Sequence, residues 1–113
     1  MPAPSRAAAI PLLLLTASLL GGCQQAFFFP EREHHWDPAE AGLVYEDVRF
    51  TAADGTELHG WLLPAQTEEV QGTVLHLHGN AQNISTHIAA VWWLPRHGFR
   101  VFAFDYRGYG RSA

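Results

Sequence analysis

Two short runs combine residue types that can do chemistry: His76-x-His78-Gly79-Asn80 and Asp105-Tyr106-Arg107-Gly108-Tyr109-Gly110-Arg111-Ser112. In the first, Gly79 permits a sharp turn that aims backbone N–H groups into a site, and Asn80-Ala81-Gln82-Asn83 leads into a helix start. Helix N-termini present free donors to anionic oxygen, so the chemistry on offer is stabilisation of negative charge. A turn that needs only its glycine is the plainer alternative. His76 and His78 also share one strand face, a spacing that metals accept. A zinc site needs at least a third protein ligand, and His34, His35, His59, His87 and His97 form no ligand pattern, so neither a metal nor another cofactor is expected. In the second run, Gly108 and Gly110 allow a tight loop beside a ligand or another backbone, with Asp105 and Arg107 pairing to stiffen it. Gly-Tyr-Gly lacks the third glycine of a dinucleotide fingerprint. Ser112 stands outside any Gly-x-Ser-x-Gly setting and is expected to cap a following helix rather than act as a nucleophile.

These runs need elements to hold them in place. Thr73-Val74-Leu75-His76-Leu77-His78 is almost continuously apolar, the pattern of a parallel strand covered on both faces. Asn83 is placed to cap a helix from Ile84 to about Arg96, with an inward stripe of Ile84, Ile88, Val91 and Trp92, and His97-Gly98 ends it. Phe99 to Phe104 is a second apolar strand, which completes a βαβ unit whose crossover should be right-handed. Upstream, Val44, Glu46, Val48 and Phe50 alternate with Tyr45, Asp47 and Arg49 as in a half-buried strand. Asp54-Gly55 marks a turn, and a strand from about Thr56 to Leu63 returns as the second arm of a hairpin. The fold class is therefore α/β: a hairpin, then a βαβ unit of a mostly parallel sheet. Two strands apolar on both faces require cover on both, and one helix is on hand, so the domain is expected to be incomplete.

The front of the chain reads as a targeting segment. Arg6 precedes an apolar run from Ala7 to Leu20, too short for a secure membrane span and suited to a signal-peptide core. It ends in Leu20-Gly21-Gly22-Cys23, and Cys23 is the only cysteine of 113 residues, so it has no internal disulfide partner. The small residues before it resemble the lipobox of bacterial lipoproteins, which implies a signal peptide over 1–22, lipidation of Cys23 and anchorage to a lipid bilayer in the cell envelope. Gln24 rather than Asp follows the cysteine, which resembles lipoproteins released to the outer membrane. Residues 23–38 are expected to be a tether, with Phe27-Phe28-Phe29 packing on the domain that spans 39–113. The formal net charge is -4 and there is no Lys, which argues against a phosphate backbone as partner.

Three runs in order carry a further resemblance. Ala53-Asp54-Gly55-Thr56-Glu57-Leu58-His59-Gly60-Trp61 looks like the hairpin of the bud-emergence-type branch of the α/β-hydrolase superfamily, which is related to serine aminopeptidase-like enzymes. His78-Gly79-Asn80-Ala81-Gln82-Asn83 looks like its oxyanion loop, Asp105 to Ser112 like its strand-four turn, and Phe28-Phe29-Pro30 like the segment before its first strand. The resemblance implies a serine hydrolase acting on a small acyl, ester or peptide substrate. It implies backbone oxyanion donors at Asn80 and Ala81, in a loop shaped by His78 and Gly79. No Gly-x-Ser-x-Gly occurs in the sequence, and none of the Ser-His-Asp triad is assigned to it, so these residues alone are expected to be inactive. The alternative is a non-catalytic lipoprotein that uses the scaffold for binding or assembly. A third reading is a small metal-binding lipoprotein that uses His76 and His78.

Overall fold

The computed structural model describes residues 26–113, so the expected signal segment 1–22 and Cys23 lie outside the described residues. The elements begin with the two-residue strand Phe29–Pro30 (β1) and a 3-10 turn over Pro38–Ala41. Asp37 caps that turn through the Ala39 amide, and Gly42 closes it at φ 70°. Glu46–Thr51 (β2) and Glu57–Leu63 (β3) then pair antiparallel, from Glu46↔Leu62 to Thr51↔Glu57. The turn between them is set by its residue types: Gly55 sits at φ 88° and Asp54 Oδ1 accepts from the Thr56 amide at 3.1 Å.

Gly72–Leu77 (β4), Ala81–Gln82 (β5), a single helical turn Ile84–His87 (α1) and Phe99–Phe104 (β6) follow. The main sheet has the order β2-β3-β6-β4, with β6 antiparallel to β3 and parallel to β4. The hairpin and the β–helix–β unit thus share one mixed sheet; instead of mostly parallel, it has one parallel and two antiparallel pairings among the described residues. Gly60 makes the join possible: a Cβ there would lie 2.5 Å from the Ala103 carbonyl oxygen, so only glycine lets β6 approach β3.

The helix differs from its expected form. Asn83 does cap it, and Ile84 and Ile88 are fully buried, but the α-helical turn stops at His87. The 3-10 turns Ile88–Ala90 and Leu94–His97 replace the rest, and Trp92 is exposed rather than inward. Pro95 excludes a continuous α-helix to Arg96, since it has no N–H for the carbonyl of Val91 and its ring would clash with that carbonyl; it does not account for the stop at His87. Val91 accordingly leaves helical geometry at φ -130°, ψ -2°.

Strand alternation divides the sheet into two faces. Trp61, Leu63, Val101 and Ala103 lie on one face and pack with Leu43, Ile84 and Ile88 into the core. The other face carries Phe50, Phe102 and Phe104, with ring centroids 5.6 to 5.8 Å from Phe50 to the other two. Leu75 and Leu77, paired with Phe102 and Phe104, are each 56% exposed. The cover expected on both faces of β4 and β6 is therefore present on one face among the described residues.

The stretch expected to be a tether is instead bound to the domain from Phe29 onward. β1 pairs in parallel with β5, Asn83 Nδ2 donates to the carbonyls of Glu31 and Glu33, and the His35 amide donates to Ser85 Oγ. Arg32 donates to the Ser112 carbonyl. The three adjacent phenylalanines do not pack as expected: Phe27, Phe28 and Phe29 are 65%, 56% and 58% exposed. The backbone of this stretch is spent on β5, and that leaves the rings outward.

Candidate functional site: an oriented amide loop beside an apolar cleft

The C-terminal end of β4 delivers His78, Gly79 and Asn80 to the mouth of the sheet. The His78 ring stacks on Tyr106, with centroids 3.9 Å apart at 27°. Its nitrogens have separate jobs. The Tyr106 amide donates to Nε2 at 3.2 Å, so Nε2 is the unprotonated nitrogen, and Nδ1 donates to the Gly79 carbonyl at 2.7 Å. Burial lowers the pKa of His78, consistent with this neutral tautomer. With both nitrogens engaged, His78 is a structural post, and the pair His76–His78 cannot serve as a metal site in this arrangement.

Tied carbonyls fix the direction of the neighbouring amides, because a trans peptide points its C=O and the following N–H to opposite sides. The Gly79 oxygen is held by His78, which sets the Asn80 N–H. The Asn80 oxygen accepts from the Phe29 amide and from the Tyr109 hydroxyl, each at 2.8 Å, which sets the Ala81 N–H. The Ala81 oxygen accepts from His87 Nε2 at 2.9 Å. Among the described residues, no group accepts a hydrogen bond from the Asn80 amide. The loop is thus a pair of oriented donors held on both sides by β1 and the Tyr106–Tyr109 turn. Gln82 adopts φ 62°, the left-handed region that costs a non-glycine residue of order 1–3 kcal/mol, and it turns the chain into Asn83.

The helix start does not offer the free donors expected from sequence. Asn83 Oδ1 accepts from the Ser85 amide at 3.0 Å, and Asp105 Oδ1 accepts from the Ile84 amide at 2.9 Å. Both amides are consumed inside the fold, which leaves the Asn80–Ala81 turn as the candidate anion-binding element.

Asp105 is the hub of the supporting structure, though not through the expected pair. Arg107 is exposed and bonds Asp54 at 2.9 Å, because Asp105 points inward at the end of β6 with no exposed surface. The Asp105 carboxylate accepts from the Ile84 amide, the Arg111 amide at 3.2 Å and His34 Nε2 at 3.0 Å. Burial pushes its pKa up, but the His34 and His59 imidazoles and the two amides outweigh this and hold it well below the usual carboxylate range. Gly110 closes over it: a Cβ there would fall 1.9 Å from Oδ2. Ser112 Oγ accepts from the His59 amide at 3.0 Å and donates to the Asp105 carbonyl at 2.6 Å, locking β3 to β6.

Beside the loop lies an open, mostly apolar cleft of about 570 Å³, lined by Phe28, Pro30, Leu58, Phe104, Tyr106, Arg107 and Tyr109. Tyr109 links the two: its ring lines the cleft and its hydroxyl donates to the Asn80 carbonyl. Of the four residues expected to build the loop, His78, Gly79 and Asn80 follow β4 and Ala81 begins β5. The sequence reading missed the tyrosine supports, and it missed the convergence of His34, His59 and Asp105, whose ligand atoms all lie within 4.8 Å of one another. The sequence signal for that cluster is slight: His59 is a polar residue within an apolar strand, while His34 and Asp105 lie outside the strands. No helix among the described residues is long and apolar enough to cross a membrane.

No family model matches the chain. The uncharacterized protein YfhR of Salmonella typhi is 46% identical over 77% of this chain and 30% of its own length. Protein bem46 of Schizosaccharomyces pombe is 29% identical over 93% of this chain and 38% of its own. Among solved structures, the esterase Pf2001 of Pyrococcus furiosus superposes with a TM-score of 0.63 at 28% identity, covering 77% of this chain and 34% of that one. The chain spans about a third of the length of the relatives it matches.

Proposed function

We propose that this chain, whose sheet and helix form part of an α/β-hydrolase fold, supplies the oxyanion loop of an envelope-anchored serine hydrolase of the bud-emergence type. The observation that carries the reading is the Asn80–Ala81 turn, with its amide directions fixed from both sides by tied carbonyls. Acyl transfer builds negative charge on the former carbonyl oxygen, and donors already in place stabilise that charge without reorganisation. A serine nucleophile, its histidine base and the carboxylate that orients the histidine would come from the remaining length that such hydrolases have. The apolar cleft beside Tyr109 favours the acyl part of an ester, and the Pyrococcus relative is named an esterase. Thioesters, amides and short peptides share the same tetrahedral chemistry.

The test is labelling with a fluorophosphonate of a full-length polypeptide that carries this segment together with the rest of the hydrolase domain. Covalent labelling at a serine in a Gly-x-Ser-x-Gly setting is expected. A folded, unlabelled protein would sink the reading in favour of a non-catalytic binding scaffold.

Anchorage belongs to the same proposal. The exposed Phe27-Phe28-Phe29 begins four residues after Cys23, a reach of at most about 14 Å in extended chain. A lipid on Cys23, worth about 0.8 kcal/mol per buried methylene, would hold these rings at the bilayer interface. Cys23→Ser is expected to move the protein from the membrane fraction to the soluble fraction. Unchanged membrane association in that variant would remove the lipid anchor from the account.

A further inference from the structure

We propose that His34, His59 and Asp105 form a binding site for a divalent transition-metal ion of the zinc class, a structural clasp that fastens the segment before the hairpin to the sheet. The sequence carries no motif for it, because the ligands come from an irregular segment, from β3 and from the end of β6. Folding brings them together: His34 Nε2 lies 3.0 Å and His59 Nδ1 3.8 Å from Asp105 Oδ2.

Proton accounting shows what the site lacks. Asp47 lies 2.6 Å from His59 Nε2, and a carboxylate only accepts, so that nitrogen carries the proton. In the neutral ring, His59 Nδ1 is then a bare lone pair. It is buried, has no hydrogen-bond partner among the described residues, and faces a carboxylate oxygen. With His59 neutral, two acceptors face each other with no donor between them, an arrangement that either an added proton or a metal ion resolves.

The spacing suits a metal ion. Tetrahedral zinc holds nitrogen and oxygen ligands at about 2.0–2.2 Å, which puts the ligand atoms roughly 3.3 Å from one another. The observed 3.0 and 3.8 Å lie on either side of that value. Two imidazoles and one carboxylate select zinc-like ions over magnesium or calcium. The outer support is in place as well, since His59 donates its other N–H to Asp47 in a carboxylate–histidine–metal relay. At His34 the ion replaces the Nε2 proton, which moves to Nδ1. The side chains of His59 and Asp105 are 1% and 0% exposed, while that of His34 is 7% exposed and marks the side where water completes the shell. Because Asp105 also holds the Ile84 amide, the ion would brace the helix that follows the oxyanion loop.

The experiment uses the full chain, stripped with EDTA and titrated with Zn2+ alone under equilibrium dialysis. Co2+ substitution is read by visible absorption, and thermal unfolding is followed by circular dichroism. One ion per chain, intense tetrahedral Co2+ bands and a Tm rise of about 10 °C at a hundredfold excess over Kd are expected. His59→Gln keeps a donor toward Asp47 but removes the Nδ1 ligand, and it should weaken binding at least tenfold. His34→Ala should do the same, whereas His97→Ala on the surface should not. Absence of stoichiometric binding, octahedral Co2+ bands only, or equal binding by His59→Gln overturns the proposal. So does a Tm that responds to pH but not to Zn2+, which would make a proton the only occupant.

Discussion

Asp105→Asn is expected to destabilise the domain by about 3–5 kcal/mol, because it removes one member of a buried, hydrogen-bonded charge cluster. The carboxylate accepts from the Ile84 and Arg111 amides and from His34, and it has no exposed surface. An amide of the same shape turns two donor hydrogens into a space already supplied with donors. Hydrogen bonds to charged groups are worth about 1.5–3 kcal/mol each, so loss of even two of them accounts for the effect. Urea unfolding followed by tryptophan fluorescence measures it, and a change below about 1 kcal/mol would contradict the hub role. The pH dependence supplies a second reading. The folded pKa lies below the unfolded value of about 3.9, so the stabilisation is present above pH 4 and is lost as pH falls toward the folded pKa. The wild type should therefore lose stability in acid faster than Asp105→Asn, whose side chain does not titrate.

Asn80→Pro in the full-length hydrolase is expected to lower kcat by about 100- to 1000-fold with a small change in KM, because it deletes one oxyanion donor. The comparison with Asn80→Ala makes this specific. Alanine keeps the backbone N–H and loses only the side-chain bond from Nδ2 to the Phe27 carbonyl. It should cost no more than a few-fold in kcat. Equal losses from both variants would assign the effect to the side chain and its contact with the phenylalanine segment, and no loss from either would remove Asn80 from the oxyanion hole. Esterase kinetics on short p-nitrophenyl esters give both numbers.

The architecture was legible where the local signal was strong. Alternation around Val48 and Phe50 and the Asp54-Gly55 pair specify a hairpin, and apolar runs at Thr73–His78 and Phe99–Phe104 specify the parallel pair. These patterns report on one face of one element, which neighbouring residues decide. The helix is shorter than its periodic stripe of Ile84, Ile88, Val91 and Trp92 indicates: period reports which face gains by burial, whereas Pro95 bars a continuous helix past Val91. The phenylalanines stay exposed because apolar character says that a side chain gains by burial, not that a partner surface lies within reach.

The site divides along the same line. The sequence by itself determined that a glycine turn follows a buried strand, that Asn83 starts a helix and that Asp105 opens a glycine-rich loop, since each is a contest between a residue and its immediate neighbours. Only the tertiary structure decided what these residues do. Asp105 faces His34 and the Ile84 amide instead of Arg107, Ser112 ties β3 to β6, and Tyr109 and Phe29 orient the Asn80–Ala81 peptide from segments on either side of it in sequence. Apart from the Ser112–Asp105 bond, each of these joins residues more than 20 positions apart in sequence. Which donor meets which acceptor depends on strand order and register, a collective outcome that no local run of residues encodes.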